Sequence, residues 1–321
     1  MLMYQIGVDL GGTNIAIGLV DDEKKLILKD SVPTALPRSA QAIADDIAAL
    51  TRSLVERAGL ALSEARWLGL GTPGTANAET GIIEYANNLG FENVPIRDML
   101  GQALGLPVYI ENDANAAAYG EYVAGAAHGG ASAVVITLGT GVGSGVIIDG
   151  QIYHGINYAG GEFGHVVIRV DGRPCTCGRH GCWEAYSSAT GLIKSTVEAM
   201  EADKSSVMWA LVGNDLSKVN GKTAFDGKRA GDDTATRVVD AYLRDLGQGL
   251  VNVINIFQPD VLCIGGGICK EGDGIIKPLE EIIRAERYSK FANKQTALRT
   301  AKLGNDAGII GAAMIGSLYT E

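Results

Sequence analysis

Ile6-Gly7-Val8-Asp9-Leu10-Gly11-Gly12-Thr13 runs into Ile15-Ala16-Ile17-Gly18, and far downstream Val134-Val135-Ile136-Thr137-Leu138-Gly139-Thr140-Gly141 runs into Val142-Gly143-Ser144-Gly145-Val146. Both stretches follow one plan: an apolar strand enters a turn of Gly and Thr, and a second apolar strand leaves it. Glycine tolerates the backbone angles of such a tip, which leaves N–H groups and a hydroxyl free to face an anion. Each tip therefore reads as a phosphate clamp, and two of them opposed across a cleft would grip a polyphosphate from both sides. An ordinary tight hairpin turn is the plainer reading of either tip alone.

The 321 residues suffice for two domains or one large one, and 46% hydrophobic with 20% charged residues is the balance of a globular enzyme. A formal charge of −10 argues against nonspecific nucleic-acid or membrane binding, which a basic surface favours. An acidic chain can still hold a nucleotide, because salt screens distant charges over about 8–10 Å and local N–H groups act at contact. The 44 glycines fall singly or in short clusters between apolar segments, so they mark turns rather than low complexity. No apolar run is long enough to cross a bilayer, and Met1-Leu2-Met3-Tyr4-Gln5 opens straight into a strand, so a cytoplasmic location is expected.

Outward from the first tip, strands are expected at 4–9, 14–20 and about 25–32. An amphipathic helix then starts from the Ser39 cap, with Ile43, Ile47, Leu50 and Leu54 on one face. A strand near 66–71 ends at Gly71-Thr72-Pro73-Gly74, residues 96–104 read as helix, and Pro107–Glu111 as a buried strand leading into a helix-forming run from Ala114 to Val123. This order suggests one half of a duplicated architecture. The second half restarts with the hairpin at 133–148 and continues through a loop-rich stretch to about 190. A long helix follows at about 233–257, then a strand ending in Gly265-Gly266-Gly267, and a last helix from Asp306 to Tyr319 whose small residues permit close packing.

Asp9–Thr13, Leu138–Gly141 and Gly265–Gly267 together resemble the actin-like and sugar-kinase ATPases. Glu111-Asn112-Asp113-Ala114-Asn115, Gly161-Glu162-Phe163-Gly164-His165 and Cys175-Thr176-Cys177-Gly178-Arg179-His180-Gly181-Cys182-Trp183-Glu184 resemble, more narrowly, the signatures of the ROK family, in the family's order and over essentially the whole chain. The resemblance implies an α/β fold of two ribonuclease-H-like lobes with a central cleft and a zinc-stapled loop. It places residues 1–113 in a small lobe completed by a C-terminal helix at 305–321, and 114–304 in a large lobe. The implied activity is ATP-dependent phosphorylation of a hexose, with glucose favoured over N-acetylhexosamines or fructose. A sugar-responsive regulator of the same family would need a DNA-binding module ahead of the first hairpin. A homodimer and no nucleic-acid or membrane partner are implied as well.

Cys175, Cys177 and Cys182 lie within eight residues, and three thiolates so close can converge on one structural Zn²⁺ that needs one more ligand. The family pattern makes His165 that ligand, with His180 as competitor. Cys263 and Cys269 flank the glycine turn and read as core. Asp113 occupies the family's catalytic position and would receive the proton of the sugar hydroxyl; by position alone it is equally a helix N-cap. Gly74, Asn88, Asn112, Glu162, His165 and Glu184 match the family's sugar-contacting positions, although the two glutamates could also line a solvated loop. For ATP the resemblance implies Gly11, Gly12, Thr13, Thr140 and Gly141 at the phosphates, Gly265–Gly267 against the adenosine, and Asp9 orienting Mg²⁺. A Walker A loop is absent, and Gly139-x-Gly141-x-Gly143 does not complete a dinucleotide fingerprint.

Overall fold

Apolar runs separated by glycine turns build two five-stranded sheets in this chain, whose computed structural model describes residues 3–320. The strands are β1 (Tyr4–Leu10), β2 (Asn14–Asp21), β3 (Leu26–Pro33), β4 (Ala65–Thr72), β5 (Thr75–Asn77), β6 (Ile82–Ala86), β7 (Phe91–Val94), β8 (Val108–Asn112), β9 (Ser132–Leu138), β10 (Val142–Ile148), β11 (Gln151–Ile152), β12 (Val261–Gly266) and β13 (Ala297–Thr300). The helices are α1 (Ala40–Arg57), α2 (Ile96–Leu104), α3 (Asp113–Val123), α4 (Glu184–Ser187), α5 (Ala189–Ala202), α6 (Met208–Leu211), α7 (Thr223–Arg229), α8 (Asp233–Phe257), α9 (Asp273–Glu286) and α10 (Ala307–Ile315).

The first sheet has the order β3-β2-β1-β4-β8 and the second β11-β10-β9-β12-β13, so the two halves share one plan. In the first, β1 pairs antiparallel with β2, and parallel with β4 in a register that sets Gly7 beside Gly69. A tight turn suffices for the antiparallel pair, whereas the parallel partner needs a crossover, which α1 supplies. Edge strand β3 alternates in burial while β1 and β2 are buried nearly throughout, the pattern of an edge against a core.

Two compact units result: one holds the chain up to Val135, Gly145–Gly161 and the segment from Ala301; the other holds Ile136–Ser144 and Glu162–Thr300. In the first, α1 starts at Ser39, whose hydroxyl accepts from Ala42 N–H at 3.2 Å, and it buries Ile43, Ile47 and Leu54. Helix α10 is buried all round and seats itself through glycines. A Cβ on Gly7 would lie 1.9 Å from the Ile309 carbonyl oxygen, one on Gly69 1.8 Å from that of Ala312, and one on Gly311 1.7 Å from that of Ala116 in α3. Backbones this close exclude any side chain, and Ile309, Ile310, Met314 and Ile315 of α10 gain about 1.5–3 kcal/mol each from burial. Buried Glu121 fixes the chain just before it, accepting from the N–H groups of Lys302 and Leu303 at 2.9 and 2.7 Å.

Several elements differ from their expected form. The last helix is shorter, Ala307–Ile315 between two 3-10 turns, because Gly304 and Gly316 bound it. A three-stranded sheet, β5-β6-β7, occupies 75–94, and α5, α6 and α7 fill the stretch after 188. Long helix α8 spans the expected residues, with Val239, Leu246, Leu250 and Val253 buried. Among the described residues no helix is long and apolar enough to cross a membrane.

Candidate active site

In the first unit, the β1–β2 turn closes with Gly11 N–H donating to the Asn14 carbonyl at 2.9 Å, and Thr34 braces it by donating its hydroxyl to the Gly11 carbonyl at 2.6 Å. The Gly12 tip faces Asn88, with 3.7 Å between the position a Cβ would take and Asn88 Cβ. Asn88 sits on a one-turn 3-10 segment, Asn87–Leu89, ended by left-handed Gly90. Gly74 has φ +85°, and a Cβ there would lie 2.0 Å from the Tyr85 carbonyl oxygen, so only glycine fits. Its own carbonyl accepts from Asn112 Nδ2 at 3.1 Å. Turn, Asn88, Gly74 and Asn112 thus all belong to one unit, with the turn meeting Asn88 and Gly74 bonded to Asn112.

Asn112, not Asp113, caps α3. Its Oδ1 accepts from Ala114 N–H at 2.9 Å and Asn115 N–H at 3.2 Å, while Asp113 Oδ1 accepts a single bond of 2.8 Å from Ala114 N–H. Burial raises the Asp113 pKa, although its backbone hydrogen bonds pull the other way. Asp9, at the end of β1, is pushed up to about 6, first by burial and then by the negative charge of Asp113. Its carboxyl lies against the first turn of α10, where a Cβ on Gly308 would come within 2.6 Å of Asp9 Oδ2. A carboxyl whose ionisation is opposed by burial and by a neighbouring carboxylate is a setting that a bound cation relieves, and this donor chemistry fits Mg²⁺.

In the second unit, the Leu138–Gly141 tip is braced by the start of α5, where Ala189 N–H donates to the Gly139 carbonyl at 2.9 Å and Thr190 Oγ1 to the Thr140 carbonyl at 2.8 Å. Glu184 Oε2 accepts from Val142 N–H at 2.9 Å and crowds Gly141, where a Cβ would lie 2.4 Å away. The structure therefore joins Glu184 to the phosphate-type tip, a link between residues 42 apart that no spacing rule reveals. Exposed Glu162 opens a 3-10 turn, Phe163–His165, with its carbonyl accepting from His165 N–H at 3.1 Å. Gly266, at φ +109°, packs where a Cβ would lie 2.1 Å from the Leu138 carbonyl oxygen, which sets the glycine turn beside the end of β9.

One ligand atom from each of His165, Cys175, Cys177 and Cys182 lies within 4.8 Å of all the others. Cys175 Sγ stands 3.6 Å from His165 Nδ1, and Cys177 Sγ 3.6 Å from Cys182 Sγ. Zn–S bonds of about 2.3 Å give a tetrahedron with edges of about 3.8 Å, so the four atoms match a zinc shell, and the sulfurs are too far apart for a disulfide. Burial and the neighbouring thiols push Cys182 up to about 12, a penalty that a cation among the sulfurs reverses. Left-handed Gly178 and Gly181 make the bends that bring the three sulfurs together. His180 is exposed and its backbone bridges to Pro174, outside the cluster.

Glu111 and His154 escaped the sequence reading as partners. Glu111, 1% exposed, holds His154 Nε2 at 2.6 Å; the pairing joins the end of β8 to the loop after β11, and its only trace in the sequence is a glutamate just before Asn112–Asp113.

Residues 5–317 match the ROK family profile. A glucokinase from Halalkalibacterium halodurans is 37% identical over 309 residues, 96% of this chain and 93% of its own length. The crystal structure of a ROK family glucokinase from Streptomyces griseus, in complex with glucose and AMPPNP, superposes with a TM-score of 0.78 at 34% identity, covering 97% of this chain and 98% of that one. A ROK hexokinase from Thermus thermophilus gives a TM-score of 0.83 at 35% identity over 99% of both chains. The fold is that of the actin-like ATPases, and with two glycine-tipped hairpins, a Cys3His cluster and near-complete coverage, the chain belongs to the ROK family.

Proposed function

We propose that this chain transfers the γ-phosphoryl group of ATP to the 6-hydroxyl of glucose. The observation that carries the reading is the division of labour at the start of α3: Asn112 takes the capping role, which leaves Asp113 a half-buried carboxyl with a raised pKa at a helix N-terminus. Burial brings that carboxyl closer to the basicity a proton acceptor needs than a solvated aspartate would be.

Asp113 receives the proton of the sugar hydroxyl as the phosphoryl group moves. Because phosphoryl transfer passes through a loose transition state, most of the gain comes from alignment and charge stabilisation rather than from the strength of the base. Asn88, Asn112, Glu162, His165 and Glu184 hold sugar hydroxyls through amide, carboxylate and imidazole groups that match vicinal donors and acceptors, and Gly74 lets backbone approach the ring. With His165 Nδ1 turned toward Cys175, its Nε2 is the nitrogen that remains for a hydroxyl. Gly11, Gly12, Thr13, Thr140 and Gly141 receive the phosphates, and Gly265–Gly267 opens against the adenosine. Asp9 orients Mg²⁺, which when bound neutralises charge on the phosphates. Zinc held by His165, Cys175, Cys177 and Cys182 fixes the loop that leads into Glu184 and, with no open position, takes no part in the chemistry. We take the assembly to be a homodimer acting in the cytoplasm, where ATP is supplied and thiols stay reduced.

Coupled phosphorylation assays over a panel of hexoses with Mg-ATP test the reading. Glucose should give the highest kcat/KM. A higher value for N-acetylglucosamine or N-acetylmannosamine would overturn the choice of sugar, and turnover of none of them would overturn the activity.

A further inference from the structure

Glu111 is the last residue of β8 before the Asn112–Asp113 pair, and its carboxylate is fully committed. Oε1 accepts from Asn112 N–H and from Asn115 Nδ2, both at 2.9 Å. Oε2 accepts from His154 Nε2 at 2.6 Å. Asn112 and Asn115 are the residues on either side of Asp113 and Ala114, so one buried carboxylate grips the first turn of α3 at both ends of the segment that carries the reacting group. Asn115 is itself buried and Asn112 spans to Gly74, so the grip also reaches the turn that follows β4.

His154 is what allows that carboxylate to sit there. A carboxylate buried with only amide donors carries an uncompensated charge, and taking away its imidazole partner would leave it in that costly state. Burial pulls the His154 pKa down, but the hydrogen bond and charge of Glu111 raise it by more. One side of the ring opens on a cavity of about 630 Å³ walled by Tyr109, Tyr158 and Tyr319, so the imidazolium keeps some access to water. His154 also starts a tight loop that its own carbonyl closes, accepting from Gly160 N–H at 2.8 Å, and Glu162 follows two residues later in the chain. Phosphoryl transfer as proposed above calls on residues in both segments.

We propose that the Glu111–His154 pair is a positioning device for Asp113: it fixes the first turn of α3, and so the direction of the Asp113 carboxyl, without touching sugar or nucleotide. The inference rests on the glucokinase reading. Small angular errors in a reacting group cost rate far more than affinity, so the pair should be felt in kcat.

The test uses the full-length, zinc-loaded protein with His154→Phe, His154→Gln and Glu111→Gln, measuring kcat, KM for glucose and for Mg-ATP, and thermal unfolding. Phe removes the donor to Glu111, whereas Gln restores a neutral N–H donor of similar reach. His154→Phe should lower kcat about 10–100-fold with both KM values within about threefold of wild type, and His154→Gln should recover part of the loss, since the hydrogen bond returns without the charge. Glu111→Gln keeps an oxygen for Asn112 and Asn115 but removes the charge, and should fall between the two. The inference is overturned if His154→Phe keeps wild-type kcat, if kcat falls only in step with both KM values or with the melting temperature, or if Gln is no better than Phe. A wild-type protein that phosphorylates no hexose would instead refute the functional reading and this inference with it.

Discussion

Replacing Asp9 with Asn should make the nucleotide-free protein more stable while it disables the enzyme. Burial and the Asp113 charge lift the Asp9 pKa from 3.8 to about 6. The folded state therefore holds this proton more tightly than the unfolded chain does, so stability falls as pH rises from about 4 to about 6, and above that range both states are ionised and the full cost is present. Two pKa units correspond to at most about 3 kcal/mol, an upper bound because solvent still reaches one side of the carboxyl. Asn keeps the shape and loses the charge, so the gain of Asp9→Asn over wild type should be up to about 3 kcal/mol at pH 8 and shrink to about 1 kcal/mol at pH 4.5. Paired thermal melts of the zinc-loaded proteins at each pH measure this, with about 2 °C expected per kcal/mol. Mg-ATP should reverse the order, because ligand that binds the wild type more tightly stabilises it by mass action. A variant no more stable than wild type at pH 8, or a gain that does not change between pH 8 and pH 4.5, would refute the account of a carboxyl held against its preference.

Asp113→Asn should lower kcat by about 10²–10⁴-fold with an unchanged far-UV spectrum and a melting temperature no lower than wild type, since Asn112 retains the cap and a charge that burial disfavours is gone; near-normal turnover would remove the base assignment. A strong zinc chelator should release one metal ion per chain, counted by atomic emission, and lower both melting temperature and glucose turnover, because three clustered thiols then lose their cation. Cys177→Ser should lower zinc stoichiometry in the same assay. Gly311→Ala and Gly69→Ala should each destabilise by about 3 kcal/mol or more in urea, because the new methyl meets a carbonyl under 2 Å away rather than a movable side chain. A shift under about 0.5 kcal/mol at either site, the size of an ordinary surface substitution, would show that α10 is seated more loosely.

Local pattern carried much of this protein. The apolar period of α1 and α8, the Ser39 cap, the glycine tips and the spacing of Cys175, Cys177 and Cys182 each lie within a few residues of chain, where helix geometry or loop reach constrains the outcome directly. Helix α10 was legible as a helix but not in its boundaries or seat, since a segment apolar on every side has no face to read and its neighbours are glycines in β1, β4 and α3. The short strands β5, β6 and β7 offer too few residues for alternation to register. What only tertiary structure decided are the choices among chemically equivalent groups: Asn112 rather than Asp113 as the cap, Glu184 bound to Val142 N–H, and Glu111 paired with His154. The last two join groups 42 and 43 residues apart, and which carboxylate meets which donor there follows from how a helix start and a loop fold back onto strand ends, which is not written in the residues next to them.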